Sequence, residues 1–206
     1  MLGIAIIPTF STYVNAASIG TTTINQNTKV SLSVQEKLDK YVTVNNNQYV
    51  LSKESKSIVS EQEYAAAQQL IKQTNEAIKK TDSVINRETK VATNEFTLSD
   101  DKVKVISLNQ GKATKRKKYH YGVNKVTYHW NYIRVYLNKN MTQTIASGAL
   151  GGLGSLIASY VSGGAATFAV GAITAAVTTF VGNSIKGGVW VDYNFLAKTV
   201  TRTGWQ

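Results

Sequence analysis

The spacing of hydrophobic positions changes along this chain, and each change predicts a different element. Residues 18–29, "SIGTTTINQNTK", are polar and predict a disordered stretch. Val30, Leu32 and Val34 then alternate briefly. "KYVTVNNNQYVLS" predicts a hairpin over 41–51, with strands at Tyr41–Val44 and Gln48–Leu51 around Asn45-Asn46-Asn47. Asparagine tolerates the left-handed backbone that tight turns demand. From Ser60 to about Lys80 the period becomes helical. Ala67, Leu70, Ile71, Thr74 and Ile78 form a narrow apolar stripe, with Lys72, Glu76 and Lys79 opposite. Ser60 and Glu63 have capping-box spacing, and Val59 and Tyr64 have that of a hydrophobic staple. Residues 82–111 predict a linker with one short strand at Val103–Ile106.

From Tyr119 to Leu137 the period is two. One face of the predicted strand carries Val126, Tyr128, Trp130, Tyr132, Arg134 and Tyr136. The other carries Lys125, Thr127, His129, Asn131, Ile133, Val135 and Leu137. Aromatic and β-branched residues at this period suit a pleated, half-buried surface. The alternation returns with Val189, Val191, Tyr193 and Phe195 against Trp190, Asp192, Asn194 and Leu196, and "KTVTRTGWQ" predicts a last strand.

Between these strands lie 46 residues, 140–185, without Asp, Glu, Lys, Arg or His. A helix needs roughly 20 residues to cross a bilayer core of about 30 Å, so this length accommodates two helices and a turn. Gly163-Gly164 is the natural break, giving an apolar helical hairpin over 142–183 with helices at about 142–162 and 165–183. Ser147, Gly151, Ser155, Ser159 and Gly163 recur at steps of four, as do Thr167, Gly171, Ala175 and Thr179. Each set lies on one helix ridge where small side chains let two backbones approach, so these are the expected helix-packing residues. Two environments compete for this hairpin. One is a membrane, with bulky residues such as Leu153, Ile157, Ile173 and Val177 outward. The other is a soluble core wrapped by the flanking sheet.

Charge sharpens the division along the chain. The net charge is +11. Residues 1–101 carry ten Lys/Arg and eleven Asp/Glu, whereas 102–206 carry thirteen and one, so the halves are −1 and +12. Lys112, Lys115, Arg116, Lys117 and Lys118 form a dense basic run with Lys125 close behind. This run suits an anionic lipid surface, a nucleic-acid patch, a protease site or a solvated loop. Tyr128, Trp130, Tyr132, Tyr136, Trp190 and Trp205 supply amphipathic rings of the kind favoured at a membrane interface.

At the N-terminus, Met1–Ile7 is apolar and Val14-Asn15-Ala16 fits a small-x-small cleavage pattern, although a basic n-region is missing. Residues 1–17 are therefore expected to be a signal-peptide remnant, 18–111 a leader-like region, and 112–206 a cationic C-terminal domain. The predicted fold class is α+β: an N-terminal hairpin and amphipathic helix, then a small antiparallel sheet with an inserted Gly/Ala-rich helical hairpin.

Enzyme chemistry finds little footing. The chain has no Cys, and its two histidines, His120 and His129, have no metal-ligand spacing and stand beside no carboxylate. Asp192, the single acid of the cationic half, could pair with either. "GALGGLG" lacks the strand-loop-helix spacing of a dinucleotide site. Neither catalysis nor a cofactor or metal is expected.

The basic run, "YGVNKVTYHWNYIRVYLNK", the Gly/Ala segment and "GGVWVDYNF…GWQ" together resemble, in type, precursors of secreted Gram-positive bacteriocin-like proteins. The resemblance covers about the last 100 residues. It departs from the family in size and in lacking a double-glycine leader site. It implies an extracellular, antimicrobial, membrane-active protein whose cations gather it on anionic lipids, whose aromatic rings settle at the interface and whose hairpin inserts, with self-association in the membrane. The alternative expectation is a secreted cell-wall or surface-associated binding protein that presents its sheet to a polymer and keeps the hairpin as soluble core. Export argues against nucleic acid as a partner.

Overall fold

The computed structural model describes residues 29–99, 102–105, 120–148 and 165–206. Helix α1 (Leu32–Asp39) begins where the sequence alternated: Ser31 caps it by accepting from the Val34 N–H. Strands β1 (Val42–Asn45) and β2 (Gln48–Leu51) form the expected hairpin. Its turn is one residue shorter than expected, because only Asn46 and Asn47 take the left-handed backbone, with φ of 47° and 59°. A 3₁₀ turn over Lys53–Ser57 leads to α2 (Glu61–Lys80). Both halves of its capping box are made: Glu63 N–H donates to Ser60 Oγ, and Ser60 N–H donates to Glu63 Oε2. The whole predicted stripe from Ala67 to Ile78 is buried.

The stretch read as a linker holds β3 (Ile85–Asn86) and the nine-residue β4 (Val91–Ser99) as well as the expected short strand, β5 (Lys102–Val105), which pairs with the far end of β4. Strand β4 escaped notice because its inner positions are Ala92, Asn94 and Phe96, so the apolar alternation has a polar gap. Asn94 Nδ2 donates to the Thr81 carbonyl at 3.2 Å, while its buried Oδ1 has no hydrogen-bond partner.

Strands β6 (Lys125–Tyr128), β7 (Tyr132–Leu137), β8 (Val189–Asn194) and β9 (Thr199–Trp205) complete an antiparallel sheet in the order β3-β4-β6-β7-β8-β9. The single long strand expected from 119 to 137 is thus a hairpin, reversed at His129–Asn131 and closed by His129 N–H donating to the Tyr132 carbonyl. Tyr128 pairs with Ile133, so odd-numbered partners face even-numbered ones and the face assignment inverts across the turn. Val126 and Tyr128 share the inner face with Ile133, Val135 and Leu137, while Lys125 and Thr127 join Arg134 and Tyr136 on the outer one.

Helix α3 (Lys139–Ala146) is capped by Asn138 and stops at Ser147, where Gly148 turns left-handed with φ of 80°. An unbroken helix over 142–162 is therefore replaced, in its described part, by one that starts earlier and ends at a glycine cap. Helix α4 (Ala165–Val181) matches the second predicted helix. It packs on β8, β9 and α3, with Ala169, Ile173, Val177 and Val181 all buried. Gly171, Ala175 and Thr179 are exposed, so this small-residue ridge is an outer surface and not a packing face. The reason is area: branched side chains turned inward bury far more apolar surface against the sheet than glycine or alanine would. Ser147 caps α3 and Thr167 lies in α4, while Gly151, Ser155, Ser159 and Gly163 lie outside the described residues.

The expected boundary at 111/112 separates no domains. Strand β4 pairs with β6 across it, and α1 is tied to the C-terminal strands. Gln35, 2% exposed, exchanges amide hydrogen bonds with Asn194 at 2.7 and 3.2 Å and accepts one from Asn131 at 2.8 Å. Val30 N–H donates to the Leu196 carbonyl, and Trp130 Nε1–H donates to Asp39 Oδ1. Gln35→Ala would strand the buried amide of Asn194 and the half-buried one of Asn131, with an expected loss of about 1–3 kcal/mol. A urea midpoint unchanged from wild type would show that α1 is dispensable.

Candidate functional site

Opposite partners in an antiparallel sheet share a face, so register alone assembles the outer surface. One row runs Glu95, Lys125, Tyr136, Trp190, Gly204, and the next runs Thr93, Thr127, Arg134, Asp192, Arg202. The strands alternate because the inner face is apolar core, and what remains on the outer face is aromatic and cationic.

Asp192 sits at the centre, with its side chain 0% exposed. Arg134 grips it with Nε at 2.5 Å and Nη2 at 2.9 Å, and Arg202 approaches from β9 with Nε at 2.9 Å. The carboxylate hydrogen-bonded to Arg134 raises that guanidinium further above its ordinary range. Asp192 therefore pairs with two arginines and not with a histidine, as the sequence had left open.

Each cation of this face lies over a ring. Lys125 Nζ is 4.5 Å from the Tyr136 centroid, the Arg134 guanidinium 4.3 Å from that of Trp190, and the Arg202 guanidinium 5.9 Å from that of Tyr132. Gly204 makes room for the Trp190 indole: a Cβ there would lie 2.6 Å from the ring. His129 stacks on Tyr132 at 3.9 Å between centroids and 11° between planes. Burial first, then the charge of Arg134, pushes its pKa down to about 4.

The expected aromatic set divides. Tyr132, Tyr136 and Trp190 are together on the outer face with Lys125. Tyr128 is buried on the inner face, Trp130 is buried and bonded to Asp39, and Trp205 packs on Phe180 of α4 at 5.0 Å. Lys112, Lys115, Arg116, Lys117 and Lys118 lie outside the described residues. The sequence reading missed Arg134, Arg202 and Gly204 as members of the site. Asp192 carried the signal for the arginines, since a sole acid amid cations on a strand calls for paired partners. Gly204 has no local signal.

Among the described residues no helix is long and apolar enough to cross a membrane, and no cluster of His, Cys, Asp or Glu could hold a metal ion. Compared with protein families, curated proteins and solved structures, the chain matches none of them.

Asp192→Asn would break both ion pairs at once. The expected loss is about 2–4 kcal/mol, below the cost for a fully buried pair because Arg202 is 60% exposed. Equal denaturant midpoints for variant and wild type would refute that assignment. His129 supplies a pH dependence of known sign. Its folded pKa lies below its unfolded value of about 6.5, so the unfolded chain binds the extra proton first. Stability should fall as pH drops from about 6.5 to about 4 and level off beneath that, and His129→Phe should flatten this part of the profile. Unfolding midpoints measured across that range check both.

Proposed function

We propose that this protein is a non-catalytic, surface-associated binding protein of the cell exterior, which uses its cationic half to hold an anionic envelope component. The observation that carries this reading is the outer sheet face, where Lys125, Arg134 and Arg202 are each set over an aromatic ring. Holding a charged side chain over a ring limits its rotamers before any ligand arrives, so less order is lost on binding. The +12 balance of residues 102–206 supplies the long-range attraction that an anionic surface would feel. The apolar N-terminal start and the small-x-small site at Val14–Ala16 support placement outside the cell.

In this reading the uncharged segment serves as core. Its described helix α4 presents Ala169, Ile173, Val177 and Val181 to the sheet, and entry into a bilayer would have to expose that buried surface of β8 and β9. The bacteriocin-like reading, in which the segment inserts into an anionic membrane, draws its support from the 46 residues without Asp, Glu, Lys, Arg or His. The two readings part in one experiment. Sedimentation of the full chain with anionic vesicles and with isolated cell-wall polymer should show retention that weakens steeply with salt, without release of vesicle contents. Salt-independent retention would sink the binding reading, and dye release would transfer the function to membrane insertion.

A further inference from the structure

The geometry points to a linear phosphodiester polymer of the cell wall, a polyol or glycan phosphate, as the ligand of the outer sheet face. It would run over the middle strands β7 and β8, with Lys125 and Arg202 as its two anion contacts. This rests on the surface-binding reading above and goes further in naming the ligand class, its direction and the residues.

Three observations converge. First, the two contacts stand far apart. Lys125 is on β6 and Arg202 on β9, with β7 and β8 between them. Their charged ends lean toward different rings of β7, Lys125 toward Tyr136 and Arg202 toward Tyr132, whose backbone positions lie about 13 Å apart along that strand. One phosphate or one lipid headgroup cannot touch both, whereas a chain with repeating phosphates can.

Second, the three cations have different duties. Arg134 commits Nε and Nη2 to Asp192 and lays its plane along Trp190, so it holds the surface together. Arg202 meets Asp192 through its Nε and is 60% exposed, and a guanidinium carries five N–H donors. The buried carboxylate orients its Nε, and beyond that contact and its hydrogen bond with Tyr132 the exposed guanidinium keeps N–H donors for a ligand. Lys125 reaches its position by lying over Tyr136, and the exposed Glu95 opposite it in register limits how many anions that end accepts. Among the described side chains, the charges of this face are Lys125, Arg134 and Arg202 against Asp192 and Glu95.

Third, the rings are already occupied. Trp190 has Arg134 over its ring and lies against Gly204, Tyr136 has Lys125 over it, and Tyr132 has His129 stacked on it with Arg202 nearby. Single-stranded nucleic acid is held by bases stacking on open aromatic faces, and an interfacial ring must enter the headgroup region. Rings covered in this way suit neither. A polymer whose backbone is charged and which carries no bases asks only for the cations.

The test uses the full chain, with Lys125→Ala, Arg202→Ala and the double variant, each assayed where circular dichroism shows it folded, because removing one arginine from Asp192 lowers the unfolding midpoint. Probes are polyglycerol phosphate in two lengths, one shorter and one longer than the strand span, a single-stranded DNA of matching charge, and anionic vesicles. Wild type should bind the longer polymer more tightly per phosphate than the shorter. Each single variant should bind the longer polymer about fivefold more weakly, with a salt slope shallower by about one. The double variant should lose the length preference. Wild-type binding that both variants retain in full would overturn this assignment while leaving the surface-binding reading intact, since other cations would then carry it. Tighter binding to the DNA or to vesicles would overturn it in favour of that ligand. Failure of wild type to bind any anionic probe would remove the surface-binding reading itself. A variant that loses its folded signature is replaced by Lys125→Gln or Arg202→Gln, for which the same outcomes apply.

Discussion

A buried carboxylate among cations is the constraint from which much of this fold follows. Asp192 has no exposed surface, and an unpartnered charge there would be prohibitively costly to desolvate. It is tolerated because Arg134 on β7 and Arg202 on β9 close on it from both sides. That requirement favours the register of three strands at once. The pairing Arg134↔Asp192↔Arg202 places Trp190 between Tyr136 and Gly204 in the adjacent row, and only a residue without a side chain fits beneath the indole. The bulge between Asp192 and Tyr193 lies at this same point of β8 and β9.

Side-chain amides fasten the remaining parts to this sheet by standing in for backbone groups. Asn47 bridges Ser83 and Ile85, accepting from one backbone N–H and donating to the other residue's carbonyl, and Asn75 does the same for both backbone groups of Tyr49. Gln206 donates to the carbonyls of Leu137 and Val189 and accepts from the Val123 N–H, in a cradle lined by Gly122 and Gly188. Each contact satisfies polar groups at a strand edge or end that would otherwise be left without partners. Gln35 belongs with them, and through it a helix that precedes every described strand is fastened to the C-terminal sheet.

The Gly/Ala-rich segment illustrates how a repeat can be seen in a sequence and its use misjudged. Residues at steps of four define a ridge whichever way it faces. Helix α4 possesses two such ridges, the small Gly171-Ala175-Thr179 and the branched Ile173-Val177-Val181. In a lipid setting the small one would face a partner helix. Against a sheet whose inner face is Val189 and Val191, the branched one buries more surface, and it is the one turned inward.

The sequence by itself determined the local elements that rest on neighbours in the chain. The capping box and stripe of α2, the Asn-rich hairpin, the alternation of β8 and the α+β class are all short-range patterns. Strand β4 and the turn at His129–Asn131 were not legible, because a polar inner residue and an unbroken alternation gave no punctuation. Of the candidate surface, Lys125, Tyr132, Tyr136 and Trp190 could be read from period and composition. Their convergence with Arg134 and Arg202 could not. Which face a strand residue occupies depends on the parity of the turn and the register of its partners, and those are settled only when Asp192 is buried between two arginines from separate strands.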